Sequence, residues 1–179
     1  IATSSAFLVS KLSGSNIKLA DTRKTTPGLR ILEKYAFCCG GGINHRLGLD
    51  DAAMLKENHI EWSHGISESI KILRKKIPWT KKIIVEAETP EQAKEAAEAG
   101  ADGVLLDEMS VQEIKKLVPE LRQLSKKNNS QYVSNNIVIE VSGINPNNIS
   151  DYISTGIDLI STSAPITKSK WIDFSMRFN

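Results

Sequence analysis

The chain has 179 residues, 23 basic and 21 acidic, so its formal charge is only +2. That balance excludes a function resting on bulk positive charge, such as unspecific binding to nucleic acid or an acidic membrane surface. With 40% apolar and 25% charged residues it reads as one globular domain able to bury a sizeable core. No apolar run approaches the roughly 20 residues of a membrane span. Two adjacent cysteines, Cys38 and Cys39, make neither a disulfide framework nor a CxxC metal pattern, which favours a reducing, cytoplasmic setting.

Residues 1–12 read as a helix already under way, with Gly14 as its stop, so 1–14 are expected to lead in from a missing upstream domain. Strand-length apolar runs then recur at 17–20, 52–55, 82–85, 103–106, 137–141 and 157–160, each bounded by polar residues or Gly, as buried parallel strands tend to be. Helical patterns lie between them. Thr26-Pro27 starts one, the hydroxyl as N-cap and the Pro at a position that needs no N–H. Ile66, Ile70, Leu73 and Ile77 share one helical face. Thr89 with Gln92, and Ser110 with Glu113, match capping boxes. Gly100 and Gly156 are expected to close their helices, and Pro119 to break or kink the one that Ser110 begins. Residues 125–136 read as a polar surface loop. Residues 171–179 alternate apolar and polar like a half-buried strand, with no evident partner in the chain.

Six strands alternating with helices imply an α/β fold with right-handed crossovers. A doubly wound dinucleotide fold would want GxGxxG after the first strand, and Gly40-Gly41-Gly42 stands in no such context. A complete eight-unit barrel takes about 250 residues. The expected fold is a short, TIM-like (β/α) barrel of six or seven strands over residues 15–170.

In such folds the carboxyl ends of the strands form one rim, where ligands bind. Following the runs are Asp21, Arg23 and Lys24; Lys56; Glu86; Asp107; Ser142-Gly143; and Ser161, Thr162 and Ser163. Cations at Arg23, Lys24, Lys56 and Arg46 suit a ligand with several negative groups, Arg gripping carboxylates and Lys phosphates. Glu86 and Asp107 either neutralise those lysines or hold a hydrated divalent cation beside a substrate phosphate. Ser142-Gly143 offers a hydroxyl and an open backbone N–H to a phosphate. His45, His59 and His64 show no zinc spacing. Cys38 and Cys39 are expected to pack rather than react. Trp62, Trp79 and Trp171 fit no nucleic-acid motif.

The stretches DTRKTTPGLRILEKYA (21–36), GGGINHRLGLDDAAMLKENHI (40–60) and AGADGVLLDE (99–108) resemble the quinolinate phosphoribosyltransferase family, also called nicotinate-nucleotide pyrophosphorylase (carboxylating). The resemblance implies that quinolinate and phosphoribosyl pyrophosphate give nicotinate mononucleotide, CO2 and pyrophosphate, with Mg2+, on the way to NAD. It implies a short barrel preceded by an α/β sandwich domain, and a homodimer or higher oligomer in which that domain lends an arginine to the neighbouring site. By resemblance Arg23 contacts the quinolinate carboxylates, and His45, Arg46 and Lys56 are further substrate contacts. Lys24, Glu86 and Asp107 carry the catalytic roles around phosphoribosyl pyrophosphate, Glu86 and Asp107 as metal ligands. Ser142 and Gly143 resemble the 5′-phosphate loop, with Ser163 and Lys168 on the last loop.

The chain departs from the family pattern in three places. Ser142-Gly143-Ile144 stands where the family usually has SGG, and Glu108 where LLDN would put Asn. STSAPITKS (161–169) replaces a GALTHS-like loop, with Lys168 where a histidine is usual. The alternatives are a related phosphoribosyltransferase using nicotinate, a transport-associated paralogue, a phosphosugar isomerase or aldolase resting on Lys56, and a non-catalytic phosphate-binding module.

Overall fold

A computed structural model describes residues 1–63, 65–126 and 136–178; His64 and most of the expected loop at 125–136 lie outside them. Six parallel strands form one sheet: β1 (Lys18–Ala20), β2 (Ala53–Leu55), β3 (Ile83–Ala87), β4 (Gly103–Asp107), β5 (Val138–Ser142) and β6 (Leu159–Ser161). Every expected run holds a strand. Around them lie α1 (Ala2–Ser10), α2 (Arg30–Cys39), α3 (Glu57–Trp62), α4 (Ile66–Lys76), α5 (Pro90–Glu98), α6 (Val111–Lys126) and the short α7 (Ala164–Thr167).

The strand order β1-β6-β5-β4-β3-β2 sets the first strand beside the last, the cyclic arrangement of a barrel. The sheet is nevertheless not closed. Between β1 and β2 the described residues make a single parallel bridge, Ala20 to Ile43, which adds a rudimentary seventh segment beside β1 and leaves β2 with a free edge.

Alternation along the strands explains both core and cavity. Ile83, Val85 and Ala87 on β3, Val104 and Leu106 on β4, and Ile139 and Val141 on β5 are wholly buried in the apolar core. The intervening Glu86, Leu105, Asp107, Glu140 and Ser142 line the barrel interior instead. Strand register puts Glu86, Leu105 and Glu140 at one level and Asp107 beside Ser142. On the helices, Ala93, Ala96 and Ala97 give α5 a small-residue face that packs closely on β3 and β4, while Ile66 and Ile70 bury α4.

Helix punctuation holds in most places. Thr89 and Ser110 form their capping boxes with Gln92 and Glu113, and Gly100 takes the left-handed conformation after α5. Gly14, at φ +81°, follows α1 and its closing turn. Two expectations are corrected. First, α2 begins at Arg30 rather than Thr26, because Thr26 spends its N–H and hydroxyl on the Glu33 carboxylate, at 2.8 and 2.6 Å, making a turn that precedes the helix. Second, α6 runs unbroken through Pro119, held by the burial of Ile114, Leu117, Val118 and Leu121 along its length. Residues 171–178 form no strand and are almost fully exposed, since a strand needs a ladder neighbour and the described residues supply none.

Candidate active site

The strand ends open into a cavity of about 440 Å³. Every residue singled out for chemistry lines it: Arg23, Lys24, His45, Arg46, Lys56, Glu86, Asp107, Ser142, Gly143, Ser163 and Lys168. Parallel strands make this convergence, because each carries its terminal side chains to the same end.

The wall after β1 is built on a buried ion pair. Asp21, fully buried, accepts from Lys34 Nζ on α2, itself 1% exposed, and from the His45 N–H at 2.8 Å. Burial raises the Asp21 carboxyl above its ordinary value; the hydrogen bonds from Lys34 and His45 pull the other way. The pair thereby fixes the loop of His45 and Arg46 against β1. Arg30 secures the next loop, donating to Thr25 Oγ1 at 3.0 Å and to the carbonyls of Arg23 and Leu47 at 3.3 Å.

Arg46 donates to the Ala52 carbonyl at 2.9 Å. Burial first, and then the positive charge of Arg23, lower its guanidinium below the ordinary arginine value, with Glu86 opposing. Two guanidiniums crowded in one wall call for an anion between them. Arg23 Nε is buried with no protein partner, and Arg23, Lys24 and Lys168 have no carboxylate partner among the described residues. Lys56 does have one: its Nζ donates to Glu86 Oε2. Ser142 Oγ donates to Asp107 Oδ1, and His45 Nε2 meets Glu140 Oε2 at 3.1 Å.

Backbone conformation contributes at the β4 and β5 ends. Gly143 sits at φ +71°, and a Cβ there would come within 2.7 Å of Glu108 Cγ. Glycine alone adopts this backbone without strain, and the residue lines the cavity. Glu108 itself has φ +54°, a left-handed conformation that Asn tolerates better than Glu. Cys38 is half-buried, and its thiol is raised by burial and the Asp21 charge. Cys39, expected to pack, is instead exposed near the end of α2.

Glu140 and Lys34 carry no role in the sequence reading, and Asp21 only a place on the rim. Glu140 hides inside an apolar strand run, and its one signal is a charge interrupting IVIEV. Lys34 belongs to a helix whose pattern shows nothing of its neighbour across the fold. Among the described residues no three His, Cys, Asp or Glu side chains cluster as a metal cage. The only hydrogen bonds to the Glu86 and Asp107 side chains among the described residues fall on Glu86 Oε2 and Asp107 Oδ1, which leaves Glu86 Oε1 and Asp107 Oδ2 without a partner there. Two such carboxylates fit a Mg2+ ion that takes its remaining ligands from water and a substrate phosphate.

Fold and site together define an α/β barrel-type domain, open between β1 and β2, whose mouth gathers cationic side chains around inner carboxylates. More closely, the chain belongs to the family described as quinolinate phosphoribosyl transferase, C-terminal domain, whose model matches residues 1–177. It is 41% identical over 178 residues to a probable nicotinate-nucleotide pyrophosphorylase (carboxylating) of Synechocystis, and 33% identical over 177 residues to the human nicotinate-nucleotide pyrophosphorylase (carboxylating). It covers 57% of each of these relatives, against 99% and 98% of its own length, so it spans little more than half of them. NadC from Streptococcus pyogenes superposes with a TM-score of 0.85 at 39% identity, over 99% of this chain and 58% of that one.

Proposed function

We propose that this barrel is the catalytic part of an enzyme transferring the phosphoribosyl group of phosphoribosyl pyrophosphate to quinolinate, with decarboxylation, in the cytoplasm. The observation that carries the reading is the set of cations Arg23, Lys24 and Lys168, without a carboxylate partner among the described residues, gathered with Arg46 around one cavity whose inner wall carries Glu86, Asp107 and Glu140. The named activity of the human and Synechocystis relatives supports it. Arg23 and Arg46 hold the two quinolinate carboxylates and aim the ring nitrogen at the anomeric carbon. Ser142, Gly143 and Ser163 receive the 5′-phosphate, while Lys24 and Lys168 face the pyrophosphate. The nitrogen–carbon bond forms as the bond to pyrophosphate breaks, and Glu86 and Asp107 offset positive charge growing on the pentose. The quaternised nitrogen then stabilises, through its adjacent positive charge, the electron pair left on the ring carbon when the 2-carboxylate departs as CO2, and that pair takes a proton from solvent. Mg2+ held by Glu86 and Asp107 would supply neutralising charge to the leaving pyrophosphate.

The reading extends to a homodimer or higher oligomer. A domain upstream of residue 1 would lend an arginine to the neighbouring subunit's site, and residues 171–178 would return to that domain. The test is steady-state quinolinate consumption by the 179-residue chain beside a longer chain carrying the upstream domain. The shared site predicts little or no turnover by the short chain, because a lost charged contact costs about 2–5 kcal/mol. Equal activity would refute sharing, and no turnover by the longer chain would refute the reaction.

A further inference from the structure

A carboxylate in a protein interior keeps its charge at low cost only when donors serve its oxygens. Glu140 is 3% exposed, and its Oε1 has no partner among the described residues although the side chain lines the cavity. The other oxygen is taken by His45, and the neighbouring contact fixes how. The Arg46 N–H donates to His45 Nδ1 at 2.7 Å, so Nδ1 is the acceptor and the proton sits on Nε2, which donates to Glu140 Oε2. Both ring nitrogens of His45 are therefore engaged within the protein, and it is Glu140 that has an atom to spare.

We propose that Glu140 is a specificity-determining residue whose free oxygen accepts a hydrogen bond from a hydroxyl of the bound pentose. The inference rests on the phosphoribosyl-transfer reading and narrows it. In that reaction quinolinate brings only an unprotonated nitrogen and carboxylates, and the phosphate and pyrophosphate groups bring acceptor oxygens. The pentose hydroxyls are the donors. Position agrees with this chemistry: Glu140 and Glu86 flank Leu105 at one level of the barrel, so an apolar surface lies between two acceptors. The negative charge of Glu140 also turns ligand carboxylates away from this wall and leaves them to Arg23 and Arg46. His45 acts as a positioning residue, holding Glu140 through one nitrogen and the Arg46 backbone through the other.

Glu140→Gln tests this, because the amide oxygen can still accept from His45 Nε2–H while the free oxygen becomes a neutral NH2. Calorimetric titration of the whole protein with phosphoribosyl pyrophosphate, pyrophosphate and quinolinate separates the cases. Affinity for phosphoribosyl pyrophosphate should fall about tenfold or more, while pyrophosphate and quinolinate change by less than about threefold. Unchanged affinity for phosphoribosyl pyrophosphate, as when a water serves Oε1, overturns the inference, and so does an equal fall for all three ligands. A wild-type protein that binds neither quinolinate nor phosphoribosyl pyrophosphate overturns the underlying reading instead. A second measurement needs no variant: analogues lacking one pentose hydroxyl should bind the wild type unequally, and equal affinity for all of them contradicts the assignment.

Discussion

The two ends of the barrel carry the same kinds of charged side chain and use them differently. Where the strands begin, Asp102 accepts from Arg74 at 2.6 Å, from Lys82 at 3.1 Å and from the Ile83 N–H at 2.8 Å. Asp158 repeats the device two strands on, with two bonds from Arg122 at 2.8 Å and one from the Ile139 N–H at 2.7 Å. In both, an aspartate ahead of one strand ties the start of the preceding strand to an arginine of the helix before that. Every acceptor oxygen is used. Arg74 Nε is also buried without a partner there, but it lies away from the cavity; where the strands end, the buried and unpartnered Arg23 Nε and Glu140 Oε1 belong to side chains that line it. Charge alone does not mark a site; charge left unserved at the edge of a cavity does.

Substitutions at the two ends should separate function from stability. Arg23→Ala has the largest expected effect: quinolinate affinity lost by about 2–5 kcal/mol, with the melting temperature nearly unchanged, read by titration and calorimetry. Retained affinity in a folded variant would break the comparison at its strongest point. Asp102→Ala should do the reverse, costing about 3 kcal/mol of stability in denaturant unfolding while quinolinate affinity holds. Glu86→Ala or Asp107→Ala should weaken Mg2+-dependent use of phosphoribosyl pyrophosphate by about tenfold or more, and quinolinate binding less. Normal turnover and metal dependence in both variants would remove them from the site.

Ser110 sharpens the comparison, because it lies beyond β4 at the open end yet belongs to a closed pair. Its hydroxyl and N–H hold the Glu113 carboxyl below the ordinary value. The stabilisation is therefore present above the ordinary carboxylate range and lost as pH falls through the lowered value. Ser110→Ala should cost about 1 kcal/mol, flatten that part of the acid limb of the stability profile and leave turnover alone. The smallest effect is a gain. Glu108→Asn should stabilise by up to about 1 kcal/mol, since Asn tolerates the left-handed backbone found there. No gain in unfolding free energy would mean that the Glu108 conformation carries no strain.

The strands were legible because buried parallel strands read as short apolar runs, and the rim because charges follow those runs at Arg23, Lys56, Glu86 and Asp107. Legibility ended where the fold, rather than a local spacing rule, chooses the partner. Nothing local tells that Lys34 serves Asp21, that Glu140 serves His45 95 positions away, or that Glu33 takes the Thr26 hydroxyl from its helix start. Pro119 misled for a related reason: a breaker's local cost is set against an apolar face that buries along the whole of α6. In the cysteine pair, the apolar stretch suggested burial for both, whereas helical phase exposes Cys39.

The seam between β1 and β2 has a mechanical meaning. The strands form a hoop with one unfastened joint: Ile43 pairs with β1 alone, and Arg46 reaches across from the β1 side to the Ala52 carbonyl just ahead of β2. Arg46 is thus a buckle as well as a proposed binding group. A polyanion that grips it tightens the strap, and occupancy of the mouth should register at a distance from the ligand, as slower amide exchange along the free edge of β2.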